Sequence, residues 1–291
     1  MRKLLLTTAL LSTFAAPNIT MADEVAPAAA PAAAPAAATP DWTFPGTVGL
    51  VSDYIFRGQS QSWGKLSFQG SIEADHSSGL YGGLSLESVS DRWLPGANLE
   101  ADLYGGFRGK IPSTELSYDV GGIYYTYPNA DWNQAFPAGN ANQTLNTFEI
   151  YGGLTYKWIT VKAGTTLTKY FGWTPSNSGV NGGFAGDLSA GVTGSTRYSS
   201  YYEADAAYEF IPTWTFSGQV GRQLVANSTG LDITYYKAGV TKAFASGWSI
   251  GGFVSATDEP NAYKKFASLS NSGGTSDVAK TQVFLSVFKN F

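Results

Sequence analysis

Val278–Phe291 reads VAKTQVFLSVFKNF, and its side chains alternate in character. Val283, Leu285, Val287 and Phe291 fall on one face, while Lys280, Gln282, Ser286 and Asn290 share the other with Phe284 and Phe288. A period of two over this length predicts a β-strand with one apolar face. Such a strand at the end of a chain is an open edge unless another strand pairs with it. Pairing with the first strand of the same sheet removes that edge, so a closed sheet is expected.

Upstream segments repeat the pattern. In Lys65–Asp75, Leu66, Phe68, Gly70, Ile72 and Ala74 oppose Lys65, Ser67, Gln69, Ser71, Glu73 and Asp75. Asn98–Arg108 and Phe148–Trp158 divide the same way, and shorter members include Leu80–Glu87, Leu116–Tyr125, Ile159–Thr168, Tyr202–Phe210, Trp214–Val220, Tyr236–Thr241 and Trp248–Ala256. With Thr47–Arg57 and the last strand, about twelve strands are expected. No stretch keeps a helical period. The 34 glycines and the many aromatic residues fit an all-β class.

Connections alternate between short and long. His76–Gly79, Ile111–Ser113, the Trp158–Ile159 junction, Ile211–Pro212 and Ala245–Gly247 are turns. Gly58–Gly64, Ser90–Ala97, Pro128–Thr144, Gly172–Arg197, Val225–Gly230 and Asp258–Asp277 are loops. Turns at one end and loops at the other predict an up-and-down antiparallel barrel of the transmembrane kind, with the loops outside the cell. In such a barrel the apolar face meets lipid and the polar face lines the lumen. Trp158, Trp214, Trp248, Tyr202 and Tyr236 lie near strand ends on the apolar parity, where rings form interface girdles. Gly172–Arg197, with few large anchors, is expected to be an exposed external loop.

The amino terminus sets the compartment. Arg2 and Lys3 precede LLLTTALLSTFAA and a small-residue site ending at Ala22, so residues 1–22 read as a secretory signal peptide. Residues 23–45, rich in Pro and Ala, read as an extended periplasmic linker, and residues 46–291 as the barrel. Loss of Arg2 and Lys3 takes the formal charge from −4 to −6, which disfavours a nucleic-acid partner. With no cysteine there is no disulfide framework and no thiolate site.

Val51-Ser-Asp-Tyr-Ile-Phe-Arg-Gly-Gln-Ser-Gln-Ser62 resembles the amino-terminal signature of the TorF-type porins, a proteobacterial family also catalogued as the Gcw_chp proteins of unknown function. The resemblance runs through the repeated Tyr-Gly-Gly strands at Tyr81, Tyr104 and Tyr151 to Phe291. It implies an outer-membrane barrel with a porin role and no defined substrate. Phe291 is similar to the assembly signal of outer-membrane barrels, although Lys289 stands where such signals more often carry an apolar residue. Lipid and the barrel-assembly machinery are the partners this implies, with the bacterial outer membrane as location.

On this parity the lumen face carries Glu73, Asp75, Glu87, Glu100, Asp102, Asp119, Glu149, Glu203 and Asp205 with Lys65, Arg108, Lys157, Lys162, Lys237 and Lys280. Asp53 and Arg57, four apart on the first strand, form either a lumen ion pair or part of a constriction. Acids outnumber bases, so any ion preference leans towards cations. Enzymatic readings find little support. His76 falls in a turn, and Gly179–Gly194 lacks the Lys of a phosphate loop, so no catalytic residue, cofactor or metal is expected. Two functions stay open: a passive channel for small polar solutes or ions, and a non-conducting structural or adhesive barrel filled by its own side chains. Oligomeric state is open too.

Overall fold

The computed structural model describes residues 41–135, 144–179, 182–271 and 273–291. The signal peptide and the linker up to residue 40 lie outside the described residues. Twelve strands form the barrel: β1 (Gly46–Val51), β2 (Ser67–His76), β3 (Leu80–Ser88), β4 (Leu99–Lys110), β5 (Leu116–Thr126), β6 (Thr147–Tyr156), β7 (Ile159–Thr166), β8 (Ser200–Ile211), β9 (Trp214–Leu224), β10 (Ile233–Ala243), β11 (Trp248–Thr257) and β12 (Gln282–Asn290). Each pairs antiparallel with its chain neighbour, and β12 returns to β1 in the register Ser286↔Val51 to Asn290↔Thr47. Phe291 completes the seam. Its N–H donates to the Gly46 carbonyl, and the Gly46 N–H donates to the Phe291 carbonyl, each at 3.0 Å. Among the described residues the only helices are three short 3-10 turns, and none is long and apolar enough to cross a membrane.

The strands face as the alternation predicts. Val283, Leu285, Val287 and Phe291 are 75, 60, 40 and 67% exposed, whereas Phe284 and Ser286 are buried. Ile72, Leu103, Val120, Leu154, Val161, Val220 and Ile250 extend this outward apolar surface round the barrel, with Trp158, Trp214, Trp248, Tyr202 and Tyr236 also exposed. An apolar belt of this extent is stable against lipid rather than water.

Two boundaries differ from the sequence reading. Trp42–Thr43, assigned to the linker, pairs with Asp75 and His76 and prolongs the sheet at its turn end. The first strand stops at Val51 rather than Arg57, because residues 52–66 turn inward.

Inside, the Tyr-Gly-Gly repeat acquires a geometric meaning. Tyr81 faces Gly106 and Tyr104 faces Gly83 directly across the β3–β4 ladder. Tyr201 faces Gly164, Tyr235 faces Gly221, and Phe253 faces Gly239 in the same way. A Cβ at Gly83 would sit 2.5 Å from Cζ of Tyr104. Each inward ring therefore lies flat on a glycine of the next strand, which brings the rings close to the wall and covers exposed backbone.

All six long connections gather at one end and pack together. Tyr54 and Phe56, Trp93 and Leu94, Trp132 and Leu145, Trp173 and Phe184, Val225 and Leu231, and Tyr263 and Phe266 belong to a single buried cluster. Ring centroids stand 4.6 Å apart for Trp93–Phe266, 5.0 Å for Trp173–Phe184 and 5.3 Å for Phe184–Phe266. This overturns the expectation for Gly172–Arg197: Trp173, Phe184, Ala190 and Val192 are buried in the cluster, although Leu188 is 76% exposed. Aromatic residues that looked like scattered loop residues find a shared core, so the loop end of the barrel is closed by a plug.

Candidate functional site: a charged lumen beneath an aromatic plug

After Val51 the chain leaves the wall, with the Ser52 N–H still donating to the Leu285 carbonyl at 2.9 Å. Ile55–Phe56 then pairs with Gln59–Ser60 in a small hairpin. Arg57 and Gly58 are its two tip residues, at φ +45° and +80°. Positive φ at both central positions marks a type I′ turn, the connection that matches strand twist. Asp53 and Arg57 are thus on a folded loop, not on one face of a strand, and they do not pair with each other. Asp53 accepts hydrogen bonds from the hydroxyls of Ser60 (2.6 Å) and Ser62 (2.7 Å), which fixes the base of the hairpin.

The hairpin crosses the lumen. Although it springs from β1, its Arg57 docks on β6, β8 and β9, the far side of the ring. Arg57 Nη2 donates to Glu149 Oε1 at 2.8 Å, and Nη1 donates to Glu149 Oε2 at 3.1 Å and to Gln223 Oε1 at 2.7 Å. Its Cζ lies 3.7 Å from the centroid of Tyr201. Arg57, Glu149 and Gln223 are 8, 2 and 1% exposed. A two-pronged, buried pair of this kind is strong because each carboxylate oxygen of Glu149 accepts a guanidinium N–H. Glu149, attraction to which raises the affinity of the guanidinium for its proton against the cost of burial, keeps Arg57 charged. Beside the pair lies a cavity of about 70 Å³, lined by Arg57, Glu149, Tyr104, Tyr125, Tyr151, Lys162, Tyr201, Glu203 and Gln219.

The remaining wall charges sort into three groups. Arg108 on β4 bonds both Glu73 and Asp75 on β2, and the Tyr81 hydroxyl donates to Asp119 at 2.6 Å. On the far side, Lys162 faces Glu203 across the β7–β8 ladder. The Tyr235 hydroxyl donates to Glu203 at 2.8 Å, and Gln219 Nε2 donates to Asp205 at 2.9 Å; Lys237 is buried on the neighbouring strand. The third group is acidic alone. Gln69, Glu87 and Glu100 lie in one cross-strand row with Asp102 beside it, all about 1% exposed or less. Tyr127 donates to Glu100 at 3.0 Å, yet each of the three acids leaves a carboxylate oxygen without a partner among the described residues. No three acids or histidines among the described residues converge closely enough to hold a metal ion.

Asp53, Arg57, Glu73, Asp75, Glu100, Asp102, Arg108, Asp119, Glu149, Lys162, Glu203, Asp205 and Lys237 therefore lie within the barrel or its plug. Lys157 and Lys280 do not. Lys157 occupies the two-residue turn after β6 at φ +54°, where it is exposed and meets Glu115 at 3.5 Å. Lys280, like Lys65, is exposed beside a loop at the rim. Strand parity fails for all three for one reason: they stand beyond the last ladder pair, where alternation no longer fixes direction. Residues that the sequence reading passed over are the neutral ones, Gln223, Gln219 and Tyr201. Their signal was present, since a Gln or Tyr on the polar parity of a strand points inward like an acid.

The family model for a bacterial protein of unknown function (Gcw_chp) matches residues 34–291, nearly the whole chain. The chain belongs to the Gcw_chp family. No curated protein matches this Gcw_chp chain. Among solved structures it is similar to the KdgM porin in complex with disordered oligogalacturonate, at 7% identity and a TM-score of 0.48, covering 86% of this chain and 99% of that one. The NanC porin gives 9% and 0.47 over 85% and 98% of the two chains. The COG4313 outer membrane channel from Pseudomonas putida F1 gives 11% and 0.44 over 87% and 97%. Identities and scores this low leave the Gcw_chp fold resting on its own strand pairings.

Proposed function

We propose that the chain is an outer-membrane barrel of bacteria, set with its plug outside, that passes small polar solutes or ions and leans towards cations. What carries the reading is the wall itself. A polar, charged lumen is enclosed by a lipid-facing apolar belt, and the acids Glu87, Glu100 and Asp102 have no ion-pair partner among the described residues. A pore wall of one sign selects the opposite ion. Towards the turn end the wall regains solvent: the Arg108 and Asp75 side chains are 30 and 15% exposed, against 1% for Glu73 deeper in. Flow in this reading requires the Arg57 hairpin to leave its seat. The resemblance to TorF-type porins points the same way. Catalysis has no part in the proposal; His76 sits at a turn, its Nδ1 2.8 Å from the Ser78 hydroxyl and its ring 4.7 Å from that of Trp42.

A second reading is favoured by the plug, whose packed rings suit a structural or adhesive barrel that does not conduct. Single-channel recording in a KCl gradient separates the two. The channel reading expects small cation-selective steps, and Glu87→Gln with Asp102→Asn should move the reversal potential towards chloride. Wall charge acts over a Debye length of about 8 Å at physiological salt, comparable with a narrow lumen radius. Silent bilayers from protein that is folded on a gel leave the filled barrel as the better account.

A further inference from the structure

We propose that Glu149, Gln223 and Tyr201 form a receptor for small guanidinium solutes, and that Arg57 is its tethered occupant. The consequence for flow rests on the channel reading above; the binding does not. The three receptor groups come from strands β6, β8 and β9, and Gln223 and Tyr201 are set independently of Arg57. Gln223 Nε2 donates to the carbonyls of Ser200 (3.0 Å) and Leu224 (3.1 Å), which turns Oε1 towards the lumen. The Tyr201 ring lies against Gly164, as a Cβ there would collide with it. Glu149 presents both carboxylate oxygens, matching the two parallel N–H bonds of one guanidinium edge. A ring face beneath, at 3.7 Å, supplies the cation–π contact that a flat cation uses and a spherical hydrated ion does not.

The occupant is held less economically than its seat. Arg57 takes φ +45°, a left-handed conformation rarely adopted by a residue with a side chain. It belongs to a two-residue hairpin joined to the wall by loop on both sides. The neighbouring cavity of about 70 Å³, with Glu203 and Gln219 on its lining, leads acceptor groups away from the pocket towards β8 and β9. A solute carrying a guanidinium group would meet the same acceptors in the same order that Arg57 does. Binding it and keeping Arg57 seated are mutually exclusive, so occupancy by solute frees the hairpin from the far wall.

The test uses Arg57→Ala with guanidinium chloride as the probe, and equal concentrations of KCl and of urea, the neutral isostere, as controls. Guanidinium should raise the unfolding temperature of folded Arg57→Ala barrels with a half-effect at about 1 mM, the affinity expected of a four-heavy-atom ligand in a built pocket. KCl and urea should not, and the wild type and Arg57→Ala/Glu149→Gln should not respond. If Arg57→Ala does not assemble unaided, millimolar guanidinium in the refolding buffer should restore its yield. Absence of both the shift and the rescue overturns the receptor. In bilayers Arg57→Ala should conduct at least tenfold more of the time than the wild type, and guanidinium in excess, by displacing Arg57 from its seat, should raise wild-type conduction towards the level of the mutant. Conduction indifferent to guanidinium keeps the channel and sinks the receptor. A thermal shift beside silent bilayers keeps the receptor and sinks the channel.

Discussion

Asp53 sits at the base of the inward hairpin, where two serine hydroxyls and the Gly64 N–H face its carboxylate and Lys280 attracts it. Burial outweighs these and pushes its pKa up from the usual carboxylate value. An acid whose folded pKa is raised binds its proton more tightly in the folded state. It therefore contributes stability below its unfolded pKa, and that contribution is lost as pH rises through the folded value. Asn keeps an oxygen for Ser60 and Ser62 but cannot ionise. Asp53→Asn should accordingly flatten the pH dependence of barrel unfolding above about pH 4, where the unfolded acid titrates, and should not weaken the fold at neutral pH. Unfolding temperatures across pH 4 to 8 check this; a mutant that tracks the wild type throughout shows that Asp53 is not held at a cost.

At the scale of the element, β12 is the strand on which closure depends. Its partners are β11 on one side and β1 on the other, and the β1 ladder is short, with five register pairs. Phe291 extends it by two backbone hydrogen bonds to Gly46 and lays its ring over that glycine, where a Cβ would stand 2.5 Å from the ring. Phe291→Glu puts a charge on the outward, lipid-facing parity and loosens those bonds. An orphaned backbone group in hydrocarbon costs several kcal/mol, so a frayed seam is poorly tolerated. Membrane levels of the mutant should fall, with the protein degraded or left in the periplasm. Normal levels in fractionated cells would show that the ladder closes without this residue. The hairpin at residues 55–60 has the opposite character, since no barrel strand needs it for its ladder.

For the molecule as a whole, a ring with no free edge resists detergent until heat opens it. The folded protein should migrate faster than the boiled protein on a mild detergent gel. Identical mobility of boiled and unboiled samples would contradict the closed sheet. Orientation is testable through the plug. Leu188 is exposed at the surface of an otherwise packed loop, so an epitope inserted after it should be reached by antibody on intact cells. Labelling only after the outer membrane is permeabilised would reverse the proposed topology.

Alternation alone carried the barrel a long way. Inward and outward positions along β2, β4, β6 and β12 follow from a period of two, because a pleated strand in a ladder has no other way to point its side chains. The order of turns and loops likewise fixed which ends of the strands meet, and an apolar strand edge in lipid left closure as the stable outcome. Beyond the ladders that constraint lapses. Asp53 and Arg57 kept the strand parity in sequence, yet the left-handed Arg57-Gly58 turn folds them into the lumen. Trp132, Trp173, Phe184 and Phe266 lie far apart along the chain, and only the closing of the ring brings their loops to one end, where burial of their rings against each other is favourable. The pairing of Arg57 with Glu149, 92 residues away, belongs to the same class. It was invisible in the sequence because a charge finds its partner by position across the lumen, and that position exists only once twelve strands have closed.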